Sequence, residues 1–572
     1  MNEQVAQQKH PKGLYVLFAT EMWERFNYYG MRAILVLFMT KALLFDKVLA
    51  SNLYGSYTSL VFLTPLIGGF MADKYWGNKK SIITGGLLMA IGEFILFFCG
   101  SFYQSAPSLS TFFFFSGLGF MIAGNGFFKP NISSLVGQLY PKGDRRIDAA
   151  YTIFYMGINV GGALGPILCG AVGDTGNPVD FKWAFLVGGI GMLLSVLVQK
   201  VYQDKYLITH EGIELGSQPE NVPANFKNPF VTIIGLIVLS GVFIGMLYID
   251  ARVFSFIFYL LILSLILIAT LIFTDKSLTT IEKKKVVVIF SVAFFVVFFW
   301  SAFEQAGASL TFFADEQTNR HLGLLIPKWI ILIVYGGLLY YFFTTWKRAV
   351  KNLKQHDLSL LRGAEIVIII LVALILYSSF GLINTYKINS NLDLNEIPAS
   401  AFQSLNSLFV VLFAPLFAWL WLKMGKNDPA SPTKMAWGLL LLAIGFLVIA
   451  FGVKNVQPGI KVSMLWLISM YLLHTWGELC LSPIGLSLVN KLAPLKYSSM
   501  LMAVWFLANA FANKLAGVLS ALYPDGKTTS FLGYQMSNLY QFFLLFVILS
   551  GVASLILFAL TKSLQKLMNT DL

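Results

Sequence analysis

The sequence predicts an all-α polytopic membrane protein, and three observations predict it. Of its 572 residues, 57% are hydrophobic and only 12% charged, whereas a soluble protein carries about 25% charged residues. Mean hydropathy is +0.72. Apolar runs of about 20 residues, long enough to span a hydrocarbon core as a helix, recur from end to end. Together these exclude a soluble multidomain enzyme.

Read in order, the apolar runs give spans near 14–40, 51–73, 80–100, 110–137, 148–173 and 180–200, a first group of six. A polar stretch from Gln203 to Lys227 follows. Two further spans, 229–249 and 253–273, are separated only by a short turn around Asp250 and Arg252 and read as a helical hairpin. The remainder falls at 286–313, 324–345, 364–386, 399–422, 434–453, 462–490, 497–522 and 538–561, for a total of about sixteen. The expected organisation is therefore an N-terminal six-helix bundle over 1–203, a linker with hairpin over 204–285, and a C-terminal six-helix bundle over 286–572 with an inserted pair at 324–386.

The net charge of +13 sits in short loops between apolar runs. That distribution points to the positive-inside rule and away from nucleic acid. Clusters at Lys79-Lys80, Arg145-Arg146, Lys283 to Lys285, Lys347-Arg348 and Lys562 to Lys566 all fall on one side, which places both termini in the cytoplasm. The polar opening MNEQVAQQKHPKG leads into a run holding Glu21, Glu24, Arg25 and Arg32, so no cleavable signal is evident. Cys99, Cys169 and Cys480 lack metal-ligand spacing and read as packing residues. Five His, with no HExxH or GxSxG, leave a membrane hydrolase without a nucleophile or metal pair. No metal or organic cofactor is expected.

With no soluble domain of useful size, the chemistry must be done by charged residues within the spans. Each costs about 2.5 to 3.5 kcal/mol at mid-bilayer on the insertion scale and so faces a wet cavity or a partner. In the first span, spacing of i, i+4 and i+7 aligns Glu21, Arg25, Tyr29 and Arg32 in one stripe, with Glu24 and Tyr28 on its shoulder. The alternative is local pairing of Glu21, Glu24 and Arg25, which Arg32 lies too far along to join. Lys129, beside Pro130, needs an acid from another span. Glu304 and Glu478 are deep acids able to switch protonation as a cationic partner comes and goes, or to sit in permanent ion pairs. Glu93 and Lys514 have no evident partner, and His474 reads as a packing residue.

Five blocks of sequence resemble the proton-dependent oligopeptide transporter, or PTR, family of the major facilitator superfamily. Glu21, Glu24, Arg25, Phe26, Tyr28, Tyr29 and Gly30 fit its ExxERFxYYG pattern, and GGFMADKYWGNKK (Gly68 to Lys80) looks like the superfamily loop motif. FYMGINVGGALGP (Phe154 to Pro166) is similar to the FYxxINxG signature. The remaining blocks are FFWSAFEQAGASL (Phe298 to Leu310) and FQSLNSLF with WGELCLSPIG (Phe402 to Phe409; Trp476 to Gly485). The chain departs from the family at Phe62, where many members have Tyr, and at Ala308-Ser309 and Asn406-Ser407.

The resemblance implies two six-helix bundles around a cavity that opens alternately to each side, in a monomer of a bacterial cytoplasmic membrane, importing di- and tripeptides with protons. It implies that Arg25 and Lys129 hold the peptide carboxylate, and that Glu478 with Asn159 and Asn406 holds its amine. Tyr28, Tyr29, Tyr155, Trp300, Phe303, Ser482 and Trp476 or Trp505 would line the site. It makes Glu304 the proton-accepting acid, paired with Arg32 when deprotonated, with Glu21, Glu24 and Arg25 also in the coupling network. The same fold also serves carriers of nitrate and other small anions or zwitterions, and a non-transporting sensor would keep the binding residues.

Overall fold

The computed structural model describes residues 10–141, 144, 146–209, 211–220, 222–223, 228–253, 255–321, 336, 340, 396–457 and 459–568, with the backbone alone at 426, 482–487, 490, 495 and 499. Met1–Asn319 with Pro398–Leu572 forms one compact unit, and Arg320–Ile397 a second.

The chain opens with α1 (Lys12–Lys41), a 30-residue helix about 45 Å long at 1.5 Å per residue. Asp46 then caps α2 (Lys47–Leu63) by accepting from the Leu49 amide at 2.7 Å. Pro65 opens the short α3 (Pro65–Met71), and after one wide turn α4 (Gly77–Phe102) begins. Gly68 and Gly85 both press against α5 (Pro107–Gln138), where an added Cβ would lie 1.9 Å from the Gly126 carbonyl and 2.5 Å from that of Gly124. Residues 17 apart in sequence thus meet neighbouring points on one helix, so the chain reverses between them. Gly77 makes the reversal possible with φ +72 and a Ser217 carbonyl where its Cβ would be.

α6 (Ile147–Gly173) and α7 (Phe181–Tyr206) complete the first bundle, in which α1 packs on α6 and α7, and α4 on α5 and α7. Beyond α7 the linker returns to the loop motif, where Lys79 pairs with Glu214 at 2.5 Å and Asp204 at 3.3 Å.

The hairpin is α8 (Pro229–Arg252) and α9 (Phe256–Thr274). The turn lies later than the sequence suggests, because α8 continues through Asp250 and Arg252. Residues Leu236, Ser240, Phe243, Leu247 and Asp250 are the buried stripe of α8, spaced alternately four and three apart, the pattern of a helix with one face against protein.

The second bundle begins with α10 (Thr280–Phe303), closed at its start by a capping box between Thr279 and Glu282. The single span expected over 286–313 is broken: a tight turn at Glu304–Gly307 separates α10 from α11 (Ser309–Glu316). There follow α12 (Ser404–Met424), α13 (Ser431–Val453), α14 (Met464–Leu492), α15 (Ser498–Ser520) and α16 (Leu539–Met568), with α13 packed on α14 and α16, and α10 on α15.

Twelve helical stretches among the described residues are long and apolar enough to cross a membrane, where the sequence suggested about sixteen. The difference has three sources. The charges of α1 keep it below that apolarity, Lys47–Phe102 counts as one 56-residue stretch despite its reversal, and the inserted pair 324–345 and 364–386 lies outside the described residues. At the insert's two ends, Arg320 pairs with Glu396 at 2.7 Å and exchanges hydrogen bonds with Ile397. Entry and exit of the insert are thereby clasped together.

The bundles meet through α2 against α15 and α6 against α12. Gly55 and Gly517 bring the first pair into backbone contact, and Gly162 admits the Ser407 hydroxyl in the second. Charged contacts gather at the same end: Lys41 with Asp315 at 2.7 Å, and Lys47 with Glu316 at 2.6 Å and Asp525 at 3.1 Å.

Candidate functional site

The stripe predicted on α1 is buried, as its charges require. Glu21 and Glu24 are fully enclosed. The Arg25 fork donates from Nε to Glu24 Oε2 at 2.5 Å and from Nη2 to Oε1 at 2.7 Å, with Glu21 Oε1 3.3 Å from Nε. Lys129 reaches across from α5 to Glu21, and Asn125, one turn earlier on α5, donates to Glu24 at 3.3 Å. The Arg25 guanidinium also lies 5.0 Å from the Tyr28 ring centre and 5.9 Å from that of Tyr29. The local pairing that the sequence left open is therefore real, and Lys129 joins it. Two carboxylates and two cations close on themselves within one bundle, so an incoming anion must compete for Arg25 or Lys129.

Arg32, two turns along α1, is separate from this cluster. Its Nη2 lies 3.0 Å from Glu304 Oε2, both side chains being less than a tenth exposed. Glu304 sits where α10 breaks, at the first residue of the tight turn. The break is compact because Gly307 has no side chain: a Cβ there would lie 1.7 Å from the Tyr54 hydroxyl. Arg32 and Glu304 belong to different bundles, and so their pair crosses the interface.

Glu478 on α14 accepts from Asn406 Nδ2 at 2.8 Å, and Asn406 also donates to Thr475 at 3.1 Å. Among the described residues Glu478 has no cationic partner. Asn159 does not reach it. That side chain donates instead to the Tyr155 carbonyl at 2.9 Å, a helix satisfying its own polar group. Tyr155 is 37% exposed, and Trp300 stands edge-on to Phe303 at 5.1 Å. Trp505 is buried, while Trp476 packs against Phe413 and Phe417. The Ser482 side chain lies outside the described residues.

The residues left unassigned acquire partners. Glu93 accepts from Asn27 at 2.7 Å inside the first bundle. His474 is buried between Phe446 and Phe303, where a Cβ on Gly445 would strike its ring. Lys514 meets Asp250 at 2.6 Å. Reading Asp250 as a turn residue hid this last contact. Extending the 4-3 apolar spacing of α8 by one step would have placed it on the inward face.

A family model described as POT family matches residues 79–339 and 341–536. An uncharacterized transporter of Bacillus subtilis, YclF, is 33% identical over 92% of this chain and 90% of its own. The peptide transporter YePEPT of Yersinia enterocolitica is 30% identical over 89% of this chain and 87% of its own. Among solved structures, a mutant peptide transporter POT in complex with alafosfalin superposes with a TM-score of 0.72 at 29% identity, covering 98% of this chain and 97% of the other.

Proposed function

Because this chain belongs to the POT family, we propose that it imports di- and tripeptides together with protons, by alternating access across a bacterial cytoplasmic membrane with both termini inside. The observation that carries the substrate reading is Glu478, an intramembrane carboxylate that accepts from Asn406 and, among the described residues, has no ion-pair partner. It stands ready for an ammonium. The Arg25 and Lys129 cluster on the opposite bundle supplies the cationic pole, so a zwitterion spanning the two draws the bundles together.

Proton coupling is assigned to Glu304. When charged it holds Arg32 across the interface; protonation removes the Coulomb attraction and releases the end at which the bundles touch. Peptide binding, rocking of the bundles and proton loss to the cytoplasm complete the cycle. With each charge worth about 2.3 kcal/mol per 100 mV, one net inward charge sustains a roughly fifty-fold peptide gradient.

Uptake of labelled dialanine into proteoliposomes, with and without an inward proton gradient, tests the reading. Gradient-driven accumulation that unlabelled, unrelated dipeptides compete away is the expected result. Absence of accumulation under any gradient, in protein shown to be folded, would reject peptide symport.

A further inference from the structure

The hairpin's place in the molecule is defined by a buried charge pair. Lys514 on α15 and Asp250 on α8 are 0% and 1% exposed at their side chains, with Lys514 Nζ 2.6 Å from Asp250 Oδ2. The Ser56 hydroxyl of α2 also hydrogen-bonds Asp250 Oδ2, and Lys514 Nζ donates to Ser56 at 2.9 Å. The other carboxylate oxygen accepts from the Ile257 amide at 3.0 Å, fixing the first turn of α9. One carboxylate thus joins the first bundle, the second bundle and the hairpin's own turn.

The hairpin straddles the interface in its packing as well. α8 lies on α5, where Ile244 fills the notch over Gly119, and on α2. α9 lies on α15, with Phe258 and Phe511 ring centres 4.5 Å apart. Ser56 and Lys514 neighbour Gly55 and Gly517, the backbone contact that closes α2 on α15. When α2 leaves α15, Lys514 must lose Ser56, Asp250 or both, and a buried charge losing its partner is strongly unfavourable.

We propose that the hairpin is a working part of the gate: Asp250 and Lys514 are positioning residues that hold α2 against α15, a lock separate from Arg32 and Glu304. This rests on the alternating access of the reading above.

The experiment uses the full chain in membranes with Ser51→Cys and Ser520→Cys, whose hydroxyls face each other 3.4 Å apart across the same interface, so that the two introduced thiols meet when α2 closes on α15. The native cysteines are free and buried. Crosslinking under mild oxidation is expected to slow about threefold or more in Lys514→Met and Asp250→Asn, and to stay nearer the unaltered rate in Asp250→Glu, which keeps a carboxylate for Lys514, Ser56 and the Ile257 amide. A merely structural pair would lower the melting temperature without changing the crosslinking rate of the folded fraction. Should the charge variants fail to fold, Ser56→Ala, which removes one hydroxyl and keeps the charges, decides the matter by the same readout. Unchanged crosslinking in every folded variant overturns the proposal. The readout needs no substrate, so failure of peptide uptake in the unaltered protein would remove the substrate reading and leave this result interpretable.

Discussion

Two charged groups lie seven residues apart on α1 and live under different constraints. Arg25 is held with Glu21, Glu24 and Lys129, all within one bundle, whereas Arg32 is held by Glu304 from the other. A rigid-body motion of the bundles leaves the first set of distances intact and must break the second. The comparison teaches that depth and burial alone do not tell which ion pairs a relative motion of the bundles would break. What distinguishes them is whether the partners move together.

The largest expected effect comes from breaking the pair that crosses the interface. Glu304→Gln is expected to abolish gradient-driven accumulation in proteoliposomes while peptide exchange down its own gradient continues; loss of both would make Glu304 a binding residue and erase the distinction. Next is the pair that stays within a bundle. Lys129→Ala removes one of the two cations facing buried Glu21; because Lys129 is partly exposed and Arg25 stays 3.3 Å from Glu21, the cost falls below the about 3 to 5 kcal/mol of a fully orphaned buried charge. A lowered melting temperature in detergent, together with lost uptake, is expected; Glu304→Gln keeps the side chain's shape but leaves the buried Arg32 without its carboxylate, so it too is expected to melt earlier. Glu478→Gln is expected to raise the KM for free dipeptides about tenfold, the scale of one charge-assisted hydrogen bond, and to leave N-acetylated peptides little changed.

The smallest effect lies outside the membrane. Asp275 follows the hairpin and accepts from Lys496 at 2.7 Å and Tyr497 at 2.6 Å, on the loop before α15. Hydrogen bonds from Lys496, Tyr497 and Ser277 hold its carboxyl well below the usual carboxylate range. A depressed value contributes stability above the unfolded pKa of about 3.9 and loses it as pH falls below that. Asp275→Asn is therefore expected to melt slightly earlier than the unaltered protein at pH 7, with the difference shrinking below about pH 4. A difference that grew on acidification would contradict the assignment.

Most of the helices were legible in the sequence, because apolar length in a membrane protein is dictated by the bilayer. The charged stripe of α1 and the Arg32 and Glu304 pairing were legible too, the first from helical spacing and the second from the family pattern. The break at Glu304 was not, since FEQAGASL contains no proline and the turn depends on Tyr54 arriving from another helix over Gly307. Asn159, which the family pattern places toward the substrate amine, donates here to the Tyr155 carbonyl of its own helix, a contact its residue type alone does not announce. Lys514 could not be paired by spacing, as its partner is 264 residues away.

The contact of Gly55 with Gly517 carries a consequence for speed. At this one point α2 and α15 meet through backbone alone, so closing it resets no side-chain rotamer and loses no side-chain entropy; the side chains to be set are those beside it, Ser56 and Lys514. Such a seam re-engages as soon as the two bodies arrive. In the alternating access proposed above, the pace of closure then falls to the motion of whole bundles through lipid and to the charged partners beside the seam. Any larger residue placed at that seam would act as a doorstop.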